Sequence, residues 1–131
     1  MKEYYYRAHI IWTGNQGTGT SGYREYLRDY EIKIDSKSII KGSSDPAFRG
    51  NPTLHNPEKL FLASLSFCHM LWFLHLCSQE GIRVLEYQDK TDGVMQEEKD
   101  GACRSFQKSN FATSSYCVKG TNGSKSKFHS C

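Results

Sequence analysis

The feature that most limits how this chain can fold is the run from residue 56 to 81, NPEKLFLASLSFCHMLWFLHLCSQEG, its longest apolar stretch, with Cys68 in the middle. Its ends carry helix signals. Asn56 suits an N-cap, Pro57 the first helical position, Glu58 the positive end of the helix dipole and Gly81 the stop. Between Leu60 and Cys77 only Ser64, Ser66, His69 and His75 interrupt the apolar character, so most of the circumference of one long helix is expected to be buried. Such a run approaches membrane-spanning length, but two histidines, two serines, a single candidate span and no flanking charge asymmetry favour a core helix and no membrane. With 131 residues, 37% of them hydrophobic, the chain has room for one domain with a modest core. One domain of that size can hardly surround such a helix, which implies that another copy of the chain covers part of it.

The formal charge of +3 does not point to nucleic acid, because it is unevenly placed. Residues 1 to 108 hold 14 Lys and Arg against 14 Asp and Glu, and the excess is Lys119, Lys125 and Lys127. The opening MKEYYYRAHIIW lacks the pattern of a signal peptide, so a cytoplasmic location is expected. There the five cysteines are core residues, metal ligands or reactive thiols rather than a disulfide framework.

Tyr4 to Trp12 is rich in aromatic and β-branched residues and reads as a strand. Gly17, Gly19 and Gly22 then follow at the spacing of a dinucleotide-binding loop, but no full βαβ unit comes after them. A flexible glycine-rich hairpin loop is the better reading. Glu31 to Ile40 alternates like a second strand, with Ile32, Ile34 and Ile39 facing inward. GSSDPAFRGNPTLHNPE is a long loop that can carry side chains to the central helix, and Arg49 and His55 are its candidates. After Gly81, IRVLEYQ reads as a strand, Asp89 to Gly93 as a turn and VMQEEKDG as a short strand end. Two strands before a helix and at least two after it give an α+β fold. From Ser109 to Cys131 the sequence has no acid and no period of two or 3.6, and is expected to be disordered.

Chemistry converges on few residues. Cys68 and Cys77 lie on opposite sides of a helix, about 13 Å apart along its axis, too far for a disulfide. No C-x-x-C, H-x-x-x-H or H-E-x-x-H spacing occurs, so neither metal nor cofactor is expected. His75 shares a face with Cys68 but stands about 10 Å along the axis, beyond contact. A cysteine in the middle of an apolar helix is ordinarily a small core residue. To react, Cys68 needs its thiolate stabilised, most simply by an arginine.

The stretch NPEKLFLASLSFCHMLWFLHLC, with Asn56, Pro57, Glu58 and then Cys68, closely resembles the OsmC/Ohr family of thiol peroxidases. IIWTGNQGTGT, GSSDPAFRG and GIRVLEYQDKTDGVM are similar to the OsmC branch, in the subgroup where His follows the cysteine, and the likeness covers residues 4 to about 103. It implies an intertwined homodimer of α+β subunits, with antiparallel sheet, long central helices packed together and active sites at the subunit interface. It also implies reduction of organic hydroperoxides by a peroxidatic cysteine, which Cys68 matches. Arg49 in AFRG matches the arginine that stabilises the thiolate, and Glu58 the glutamate that holds that arginine. Ten helical residues, however, put Glu58 about 15 Å from Cys68. Either the helix breaks between them or the glutamate comes from the partner subunit.

The family also has a resolving cysteine after a further strand and helix, and neither Cys117 nor Cys131 matches it. A catalytic cycle would then depend on an external thiol. The expected domain is therefore 1–108, the N-terminal part of the fold, followed by a tail, 109–131. With freely chosen synonymous codons, the neighbouring reading frame of that tail can encode an alternating strand and an Ala-, Glu- and Lys-rich helix, which suggests a frameshifted and truncated family member. A transcript without a surplus base near codon 108 would rule this out.

Overall fold

The computed structural model describes residues 1–99, 104–107 and 115–120. The chain forms two compact units, Met1–Leu60 and Phe61–Cys131. It is an α+β chain with antiparallel strand pairing and one long helix, as the sequence implies.

The first unit is built on a three-stranded sheet in the order β1 (His9–Trp12), β2 (Tyr30–Lys33), β3 (Ile40–Gly42). β1 and β2 are antiparallel, with Ile10 opposite Ile32 and Trp12 opposite Tyr30, so residues 13–29 are a hairpin connection. No helix follows the glycines. Asn15 Oδ1 accepts hydrogen bonds from the Gly17 and Gly19 amides, which occupies the donors a phosphate would need. The connection is tied down at its far end, where Trp12 Nε1 donates to the Leu27 carbonyl at 2.8 Å.

The strand expected over Glu31 to Ile40 is two strands. Asp35 takes a left-handed φ of 50°, and Lys37 N–H bonds the Ile34 carbonyl, so the chain turns at DSK and returns as β3. The turn is a local decision by Asp35, whose residue type tolerates that conformation, and it leaves Ile39 exposed instead of facing inward. β1 also begins later than the strand expected from Tyr4 to Trp12, and Tyr4, Tyr5 and Tyr6, which precede it, are exposed.

Helix α1, Pro57–Gln79, starts at the end of the first unit and supplies the main element of the second. Asn56 caps it as the sequence predicts: its Oδ1 accepts from Lys59 N–H at 2.9 Å. At the other end Gly81 has φ 69°, and Ile82 N–H reaches the Cys77 carbonyl at 2.8 Å, the closure that a left-handed glycine permits.

In the second unit β4 (Val84–Lys90) follows the helix, β5 (Val94–Glu97) pairs antiparallel with β6 (Arg104–Gln107), and β4 pairs antiparallel with β7 (Ser115–Gly120). Two local readings shift. Asp89 and Lys90 belong to β4 rather than to the following turn, and the backbone of residues 115–120 is a strand inside the stretch expected to be disordered. The pairing depends on β4, a partner distant in sequence that no local period reveals. The rest of residues 109–131 lies outside the described residues.

The helix is less covered than its composition demands. Met70, Phe73 and Leu74 are half-buried, and Cys77 is the one apolar side chain among the described residues that is buried outright. Phe73 meets the Tyr87 ring at 5.8 Å, and Ser66 Oγ donates to the Asp89 carboxylate, so this side of the helix faces β4. The opposite side carries Phe61, Leu65, Cys68, Trp72 and Leu76 at three- and four-residue spacing, and all five are exposed.

Candidate active site

The loop before the helix is organised by Asp45. Its Oδ1 accepts from Ala47 N–H at 2.9 Å, capping a 3-10 turn over Pro46–Phe48, and its carbonyl accepts from Phe48 and Gly50. Its other carboxylate oxygen accepts from Asn56 Nδ2 at 3.2 Å. Asn56 therefore has two tasks: one end of its amide caps α1 and the other holds the loop. That double use explains why it is 4% exposed although polar. Ser43, fully buried, fixes the same loop by accepting from Asn51 N–H at 3.0 Å and bonding the His55 carbonyl through its own N–H at 2.9 Å.

Arg49 stands where this network ends. It closes the 3-10 turn in the left-handed region at φ 62° and ψ 27°, with its N–H on the Pro46 carbonyl. A non-glycine residue there carries a strain that the surrounding bonds must sustain. Gly50 shares in this, because a Cβ at that position would lie 1.5 Å from the Ser44 carbonyl oxygen. The backbone of Arg49 is thus fixed while its side chain stays exposed. Removing Asn56 is expected to be expensive for its size. Asn56→Ala loses the helix cap and the Asp45 bond together, and should lower unfolding stability in urea by about 1–3 kcal/mol, more than a cap alone.

Glu58, in the first turn of α1, has a buried carboxylate oxygen, Oε2, with no hydrogen-bond partner among the described residues. Arg49 and Glu58 form no ion pair. The charge of Glu58 is felt by Tyr30 instead, whose phenol is pushed above its usual pKa, first by burial and second by the Glu58 carboxylate. Burial and a neighbouring anion both favour the neutral phenol. The associated stability is complete below the unfolded-state value near 10 and falls as pH rises beyond it. Tyr30→Phe should flatten that alkaline loss in a stability-versus-pH series. Glu58→Gln should lower the phenolate titration midpoint read by ultraviolet absorbance.

Cys68 lies on the exposed apolar side of α1, between Leu65 and Trp72. Cys77, on the other side of the helix, is buried. His75 stacks on the Trp72 ring at 5.3 Å, continuing the same face. The helix is unbroken from Pro57 to Gln79, so no break lies between Glu58 and Cys68.

The architecture matches a solved structure, that of an OsmC-like protein of unknown function from Vibrio cholerae O1 biovar eltor. The two align with a TM-score of 0.69 over 96% of this chain and 80% of that one, at 24% identity. The fold is OsmC-like. No protein-family model and no curated protein matches the chain. The sequence singled out Cys68, Arg49 and Glu58, of which the chain brings no two into an ion pair. It missed Asp45, whose only local signal is an acid before a proline, and the second role of Asn56. His55 acts through its main chain, its carbonyl also accepting from Tyr30 OH at 3.3 Å. Cys103 and Cys131 lie outside the described residues, and Cys117 lies in β7. Among the described residues no group of His, Cys, Asp and Glu could hold a metal ion.

Proposed function

We propose that the chain is a thiol-dependent peroxidase that reduces organic hydroperoxides in the cytoplasm as a homodimer. The reading is supported by the OsmC-like fold together with the place of Cys68, which lies on the face of α1 that its own chain leaves uncovered and matches the peroxidatic position. The Cys68 thiolate attacks the distal oxygen of the hydroperoxide. The S–O bond forms as the O–O bond breaks, the alkoxide leaves and takes a proton to become the alcohol, and the cysteine is left as sulfenic acid. An external thiol condenses with the sulfenic acid to a mixed disulfide and water, and a second thiol releases Cys68 reduced.

Arg49 is the counter-charge of the thiolate in this scheme. Glu58 of the partner subunit holds the guanidinium, which gives its orphaned buried oxygen a donor. Hydroperoxide-dependent oxidation of a dithiol by the full-length chain, with and without Cys68, tests the proposal. A second reading, a non-catalytic dimeric helix-packing protein, is favoured by the extent of the exposed apolar face. A Cys68 thiol alkylated no faster than a free thiol at neutral pH would select it.

A further inference from the structure

The network around Asp45 fixes the main chain of Arg49 but not its guanidinium, and an arginine anchored only at its backbone has many rotamers to lose before it can hold an anion. One further contact bears on the charged end. The Arg49 Cζ lies 5.9 Å from the centroid of the Tyr23 ring, within the range of a cation–π interaction. Tyr23 is itself held. Arg28 donates from Nη2 to the Tyr23 carbonyl at 2.6 Å and from Nη1 to the Tyr26 carbonyl at 2.5 Å. The same guanidinium lies 4.7 Å from the Tyr23 ring and 3.8 Å from the Tyr26 ring. One arginine thus holds two tyrosines, and the first ring also lies within reach of a second arginine. Neither guanidinium has a carboxylate within ion-pair distance among the described residues.

We propose that Tyr23, clamped by Arg28, is a positioning residue for Arg49. A ring attracts a cation through its quadrupole and leaves the N–H donors free, so the guanidinium is restrained without losing the capacity to bridge two anions. In the proposed site those anions are the Glu58 carboxylate and the Cys68 thiolate, and the inference rests on that reading of Arg49. The loop of residues 13–29, whose glycines suggested a phosphate cradle, serves here to present an aromatic face.

The test uses the full-length chain and two residue-specific modifications followed by peptide mass spectrometry: phenylglyoxal at Arg49 and iodoacetamide at Cys68. Tyr23→Leu should speed modification of Arg49 and slow neutral-pH alkylation of Cys68, each about two- to fivefold. Tyr23→Phe keeps the ring face and should restore both rates. Adding Tyr23→Leu to Arg49→Ala should change Cys68 alkylation no further, which separates positioning from a general structural effect. An Arg49 modification rate unaltered in Tyr23→Leu overturns the proposal, whatever Cys68 does. If Arg49→Ala leaves Cys68 alkylation unchanged, the assignment of Arg49 to the thiolate fails instead, and the phenylglyoxal rates decide the ring's role by themselves.

Discussion

Cys68→Ser is expected to remove hydroperoxide consumption down to the background of the reductant alone, whereas Cys77→Ser keeps it. The two cysteines sit on one helix, yet their surroundings are opposite. Cys77 is buried by its own chain and Cys68 lies on the face that chain leaves uncovered, so Cys68 is the one that can border a site completed at a subunit interface. A serine hydroxyl cannot form the sulfenic acid on which turnover depends, so the loss is complete rather than partial. Arg49→Ala should act through the same atom with a smaller effect. The variant loses one charge-assisted contact to the reacting sulfur, about 1.5–3 kcal/mol, and should lose at least about tenfold in rate while keeping a measurable remainder, which Cys68→Ser does not. Equal activity of the two cysteine variants would end the peroxidase reading.

How far the sequence revealed this arrangement depended on how local each cause is. The helix was legible to within two residues, because Asn56, Pro57 and Gly81 each act within one turn. The break between β2 and β3 was not, because Asp35 decides it against an alternating pattern that continues on both sides. Arg49 could be named from its resemblance to a family motif. Its left-handed backbone could not, since Asp45 and Asn56 are eleven residues apart and meet only in the fold. The cover of the helix is not local either: an apolar helix signals that something must cover it, and the described residues of this chain leave Phe61, Leu65, Trp72 and Leu76 exposed.

Trp72→Asp is expected to turn a dimer into a monomer at micromolar concentration, while Trp72→Phe leaves it dimeric. Trp72 is 64% exposed at the centre of the face made by Phe61, Leu65, Cys68 and Leu76. Burying an aromatic side chain of its size removes about 200 Å² from water, or about 5 kcal/mol at ~25 cal/mol per Å² as an upper bound. A two-fold interface presents the residue twice, and the aspartate adds an unpaired charge on each side. Even a third of that total corresponds to more than a hundredfold in dissociation constant. The substitution leaves intact the packing of Phe73, Met70 and Cys77 on the other side of α1, so the monomer should keep its helical circular dichroism. Light scattering on wild-type chain gives the decisive comparison. The same helix is long and apolar enough to cross a membrane, so wild-type chain that is monomeric in solution and sediments with lipid vesicles would replace the partner subunit with a bilayer as the cover for this face.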